Sequence, residues 1–155
     1  MSRIEEKINE LGITLPETPA PIANYVPFVK TGNLVYLSGL GPAAGSGGTI
    51  PKGKLGLDMT VEEGYEAARL VGINILSRIK GAIGDLDKVK RVIKLLTMVN
   101  STVNFDQHPT VANGCSDLMV EVFGEKGRHA RSAVGMAGLP NGIPVEIEVI
   151  IEVED

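Results

Sequence analysis

The chain has no tryptophan and a single cysteine, Cys115, with only three phenylalanines and three tyrosines among its 155 residues. A lone thiol has no partner within the chain, so no internal disulfide forms, as suits a reducing compartment. So few aromatic rings leave few platforms on which single-stranded nucleic acid stacks. Positive charge is not in excess either: 15 Lys and Arg against 19 Asp and Glu give a formal net charge of −4. That is the wrong sign for a protein that holds phosphates by releasing their counterions, which argues against nucleic acid as a partner. No run of 18 apolar residues occurs, so no membrane span is expected. The opening Met1-Ser2-Arg3-Ile4-Glu5-Glu6-Lys7 lacks the apolar run and small-residue cleavage site of a secretory signal, and a cytoplasmic location is expected.

What is present reads as an ordinary globular protein, with 43% apolar and 22% charged residues. A chain of this length fits one domain and can bury roughly 70% of its unfolded surface. The expectation is one domain over residues 1–155, with residues 1–17 as an N-terminal helical extension. Ile4, Ile8 and Leu11 fall at helical spacing, and Gly12 follows where a left-handed cap would sit. The proline-rich run Pro16-Glu17-Thr18-Pro19-Ala20-Pro21 is expected to be extended, because proline removes donors and restricts the residue before it.

Two β-prone runs, Val26-Pro27-Phe28-Val29-Lys30 and Leu34-Val35-Tyr36-Leu37-Ser38, flank Thr31-Gly32-Asn33 and predict a hairpin. Residues 39–56 hold seven glycines with prolines at 42 and 51, which reads as a mobile loop. The segment lacks the Gly-Lys-Ser/Thr ending of a phosphate-binding loop. Thr60-Val61-Glu62-Glu63 fits a capping box that opens a long helix. Val61, Tyr65, Ala68, Gly72, Ile75, Ile79 and Ile83 then step by three or four along one stripe of it. Residues 89–103 are apolar on both alternating faces and predict a strand covered on both sides. A loop at 104–109 leads to a second helix over 111–123, with Val111, Cys115, Leu118, Met119 and Val122 on one face.

The last third of the chain carries the chemistry. Arg131 opens the apparent strand Arg131-Ser132-Ala133-Val134-Gly135-Met136, and Leu139-Pro140 leads into the alternating Val145-Glu146-Ile147-Glu148-Val149-Ile150-Ile151-Glu152-Val153. A cation at the start of one strand, followed closely by a strand with carboxylates on one face, is a place for a small anionic substrate. The element order β-β-α-β-α-β-β describes an α+β layer structure, a mixed sheet with two helices packed on one face.

These residues resemble the signature of the RidA, or YjgF-like, family of reactive-intermediate deaminases, formerly described as endoribonucleases. The resemblance rests on Ala130, Arg131, Ser132, Val134, Ala137, Leu139, Pro140, Val145, Glu146 and Ile147 in order, and it covers roughly residues 18 to 153. Asn24-Tyr25-Val26-Pro27-Phe28 and Leu37-Ser38-Gly39-Leu40 are similar to two further family segments. The resemblance implies a chorismate-mutase-like fold and a homotrimer with a central barrel and a pocket at each subunit boundary. It also implies hydrolysis of 2-imino or enamino acids to 2-keto acids and ammonia, with no cofactor or metal. Arg131 would anchor the substrate carboxylate and Glu146 would position or activate water. Tyr25, Gly39 and Ala133 would line the site, Gly39 and Ala133 through backbone amides.

Several positions depart from the family pattern: Ala133 replaces a common cysteine, Leu40 a glutamine, Gly138 a polar residue, and His129 a proline or alanine. They mark a divergent branch. A non-catalytic small-carboxylate-binding or regulatory protein is the alternative reading, followed by an endoribonuclease, for which Lys52, Lys54, Lys126, Arg128 and Arg131 would have to gather into a patch. His108 is expected to be solvated in its loop, and His129 lacks neighbours at metal-ligand spacing.

Overall fold

The computed structural model describes residues 2–17 and 23–155. Its elements run α1 (Arg3–Glu10), β1 (Phe28–Thr31), β2 (Leu34–Leu40), α2 (Val61–Ile83), β3 (Val89–Asn100), α3 (His108–Phe123), β4 (Ala130–Met136) and β5 (Val145–Val153). The expected order β-β-α-β-α-β-β is therefore present behind the short first helix. Of the proline-rich run, Thr18, Pro19, Ala20 and Pro21 lie outside the described residues.

The strands form one sheet in the order β1-β2-β5-β3-β4. Neighbours are antiparallel except β3 and β4, which run parallel because α3 crosses between them. The two closing strands are thus not neighbours: β3 separates β4 from β5. The sheet places β5 at its centre, which explains why its odd residues Val145, Ile147, Val149, Ile151 and Val153 are all buried. They point to the face that α2 and α3 cover, and Glu146, Glu148 and Glu152 point the other way by the two-residue period of a strand.

Both long helices form for local reasons. Thr60 accepts from the Glu63 amide at 3.1 Å while the Glu63 carboxylate accepts from the Thr60 amide at 2.8 Å, completing the predicted box. Helix α3 begins earlier than expected, at His108, because Pro109 in the first turn sacrifices an amide that has no partner there anyway. The helices lie against each other through glycines. A side chain at Gly114 would overlap the carbonyl oxygen of Tyr65, and one at Gly72 would come within 2.8 Å of Leu118. Across their outer edge, Tyr65 donates to Asp117 at 2.7 Å and Arg69 forms a two-pronged pair with Glu121. The Asp117 hydrogen bond and burial push the Tyr65 phenol up to about 12.

Three sequence expectations need correction. Helices cover β3 on one face only; Leu96 and Met98 on its other face are half-buried, beside the exposed Val29, Tyr36 and Val134. The C-terminal end of the glycine-rich segment is tied into the fold. Leu55 is fully buried and exchanges backbone bonds with Asn100 and Thr102, and Lys54 Nζ donates to Asn100 Oδ1 at 2.5 Å and to the Ala137 carbonyl at 2.7 Å. His108 opens α3 rather than lying in a loop and is half-buried: its Nε2 lies 3.1 Å from Ser101 Oγ, and its ring meets Phe105 edge to face.

Helix α1 docks onto this body. Ser2 caps it, the Asp87 carboxylate accepts from the Arg3 and Ile4 amides, and Ile8 joins the main core. No helix among the described residues is long and apolar enough to cross a membrane.

Candidate functional site

Arg131 sits on β4, an edge strand, opposite Leu95 of β3. Its side chain turns to the helix side of the sheet. Nη1 donates to Asn113 Oδ1 at 2.8 Å and to Ser116 Oγ at 3.1 Å, both on α3. Asn113 and Ser116 stand three apart and so share one helix face. Both acceptors are neutral, and Arg131 has no carboxylate within ion-pair distance among the described residues. The two hydrogens of Nη1 are spent on these bonds. Nε and Nη2, the edge of the guanidinium that fits a carboxylate side-on, make no hydrogen bond within the described residues. The group lines a surface cavity of about 270 Å³ with Ser116, Asp117, Val120, Arg128 and His129. Ala133, two residues along β4, faces the same side opposite Thr97, whose buried hydroxyl has no partner.

Glu146 lies elsewhere. It pairs with Met98 of β3 and points to the face without helices. Burial and then the neighbouring Glu148 push its carboxyl above the usual carboxylate range. One extra residue in β2 between Leu37 and Leu40 makes a bulge there, and Gly39 within it lies directly against Glu146. A β-carbon at Gly39 would stand 2.7 Å from Glu146 Oε1, so a larger residue here would push the carboxylate aside. The adjoining Ser38 bonds back to the segment before β1: its hydroxyl donates to the Val26 carbonyl at 2.6 Å and its amide to the Pro27 carbonyl at 3.0 Å. Tyr25, 55% exposed, is thereby held near the same end of β2.

The sequence-predicted residues thus fall into two groups. Tyr25, Gly39 and Glu146 gather around the β2–β5 pair, and Arg131 with Ala133 occupies the far edge of the sheet on the opposite face. One chain does not bring them together. The five basic residues do not gather either. Lys54 is bonded to Asn100 at one end of β3 and Lys126 to the Val89 carbonyl at the other, a separation of about 35 Å at strand rise. Arg128 pairs with Glu125. No cluster of three or more metal-ligating side chains occurs among the described residues. Cys115 is fully buried, and burial pushes its thiol up to about 12, which makes it an inert core residue.

Sequence reasoning missed Asn113 and Ser116, although their spacing on a helix that packs behind the Arg131 strand was a readable signal. It also passed over the link from Ser116 to His129, whose Nε2 lies 2.9 Å from the serine hydroxyl.

The fold agrees with the match of residues 5–144 to the family described as YjgF/chorismate mutase-like, putative endoribonuclease. The chain belongs to the YjgF/RidA family. It is 46% identical to Protein TCP17 of Trypanosoma cruzi over 99% of this chain and 96% of that protein. It is 30% identical to a 2-iminobutanoate/2-iminopropanoate deaminase of Dermatophagoides farinae, over 92% and 95% of the two chains. Among solved structures, Atu1372 of Agrobacterium tumefaciens, of unknown function, superposes with a TM-score of 0.88 at 47% identity, covering 97% of this chain and 94% of that one. Similarity to TCP17 and Atu1372 well above that to the deaminase agrees with a divergent branch of the YjgF/RidA family.

Proposed function

We propose that this protein is a cytoplasmic deaminase of 2-imino and enamino acids, working as a homotrimer in which one subunit supplies Arg131 and its neighbour supplies Glu146. The observation that carries the reading is the guanidinium of Arg131: it lines a surface cavity, is held through Nη1 by neutral acceptors, and has no carboxylate partner and no bond at Nε or Nη2 among the described residues. The half-buried apolar residues on the face of the sheet without helices support association with further copies, as a patch of this kind marks an interaction surface. A closed threefold ring uses two different surfaces per chain, which is how residues on opposite faces of one sheet can meet.

In this reading Arg131 grips the substrate carboxylate in a two-pronged pair, with the Ala133 and Gly39 backbones beside it and Tyr25 along the wall. Water attacks the electrophilic carbon of the C=N group. Glu146 takes a proton from that water as the C–O bond forms and passes it to the imine nitrogen, giving a carbinolamine; it then takes the proton of the new hydroxyl and delivers it to the nitrogen as the C–N bond breaks, so both water protons leave on ammonia. The products are the 2-keto acid and ammonia, and no electrons are exchanged. A carboxyl raised by burial is suited to holding a proton between the two steps. An imine is already activated, so orientation supplies much of the rate without a cofactor or metal.

The test is to generate 2-iminopropanoate with an amino-acid oxidase and follow trapped imine with and without protein. The native protein is expected to accelerate imine loss, and Arg131→Ala to abolish the acceleration. Carboxylate binding by the native protein with no accelerated turnover would establish a binding protein in place of an enzyme.

A further inference from the structure

His129 Nδ1 lies 2.6 Å from the carbonyl oxygen of Gly127, which can only accept, so Nδ1 carries a proton. In the neutral ring Nε2 is then an acceptor, and the Ser116 hydroxyl 2.9 Å away donates to it. The same hydroxyl oxygen accepts from Arg131 Nη1. The result is a chain of hydrogen bonds with one direction, from Arg131 through Ser116 and His129 to Gly127. Its far end is firmly seated: Gly127 is buried, and a side chain there would overlap the Met119 carbonyl of α3. With Asn113 taking the second hydrogen of Nη1, the chain fixes the rotation of the guanidinium and leaves Nε and Nη2 without a bond among the described residues.

We propose that Ser116 and His129 are positioning residues for Arg131, and that neutral His129 is the state that holds the arginine ready for an anionic ligand. The inference rests on the reading of Arg131 as a carboxylate anchor. A protonated His129 would present a donor in place of an acceptor to Ser116 and place a second cation beside Arg131. Other charged groups near the ring are Asp117 from α3, Arg128 ahead of β4, and Glu125 and Lys126 in the turn before it. Of these, Glu125 is paired with Arg128 and Lys126 is bonded to the Val89 carbonyl, which leaves Arg131 as the cation that His129 meets through Ser116. Burial, more than the Arg131 charge, lowers the His129 basicity below its usual value and keeps the ring neutral near pH 7.

The experiment uses pyruvate, which stays ionised throughout, as the probe. Its dissociation constant is measured by calorimetry from pH 5 to 8, in a Glu146→Gln background that removes that carboxyl's own titration. Ser116→Ala and His129→Ala are expected to weaken pyruvate about tenfold, in line with loss of a hydrogen bond that orients a charged group. Ser116→Thr, which keeps the hydroxyl, should restore most of the affinity. With His129 intact, affinity should fall only at pH below the usual histidine range, where the ring takes up a second proton, and with His129→Gln it should stay flat. If Arg131→Ala binds pyruvate as well as its parent, the anchor reading itself fails. If Arg131→Ala loses binding while Ser116→Ala and His129→Gln match their parent in affinity and pH profile, the positioning role alone is overturned. Should His129→Ala not fold, Ser116→Ala and His129→Gln decide the matter.

Discussion

Arg131 and Glu146 stand on opposite faces of one sheet: Arg131 pairs with Leu95 and reaches helix α3, while Glu146 pairs with Met98 and points away from both helices. Their strands are separated by β3. No side-chain rotation brings the two groups together within one chain, so any chemistry that needs both must be shared between copies.

Mixed assemblies check this directly. Arg131→Ala and Glu146→Gln should each be inactive alone. After unfolding and refolding together in equal amounts, about a quarter of the boundaries in a threefold ring would join an intact Arg131 to an intact Glu146. Imine hydrolysis should return to about that fraction of the native rate. No recovery would count against a shared pocket.

Glu146 carries a stability signature of its own. Its folded-state pKa is raised, so folding favours the protonated form; that contribution is complete below about pH 4.5 and is lost as pH rises through the folded value. Glu146→Gln should therefore melt at a higher temperature than the native protein at pH 7, and the difference should shrink at pH 4. Thermal melts at the two pH values measure it, and an unchanged or lower melting temperature at pH 7 refutes it.

Helix contact depends on Gly114. Its replacement by alanine forces a methyl against the Tyr65 carbonyl, part of a helix backbone that cannot rotate away as a side chain would. A loss of about 1–3 kcal/mol is expected, as for other overpacked sites. Gly138, with nothing near its missing side chain, provides the control: Gly138→Ala should leave urea unfolding nearly unchanged.

Thr60→Ala removes the hydroxyl that accepts from Glu63 and should cost about 1 kcal/mol in the same unfolding assay. Glu63→Ala should cost less, since the threonine cap survives it.

Cys115 should resist alkylation in the native state at pH 8 and react within minutes in denaturant, because a fully buried thiol raised to about 12 offers neither access nor thiolate. Rapid native labelling, read by mass spectrometry, would show that the helix pair opens.

The sequence by itself determined the parts governed by local periodicity and chain chemistry. The Thr60 box, the apolar stripes of α2 and α3, the Gly32 turn and the alternation of β5 depend on residues a few positions apart, and each reads directly from the chain. The Arg131 motif was legible for the same reason. Only the tertiary structure decided which strand lies beside which, because inserting β5 between β2 and β3 pairs it with β2 residues more than a hundred positions away. That pairing sets the face of Glu146 and seats Gly39 on its carboxylate, while β4 beside β3 and α3 behind them bring Ser116 between Arg131 and His129. Hydrogen bonding between strands and close packing of helix on sheet fix these relationships, which local periodicity does not set by itself.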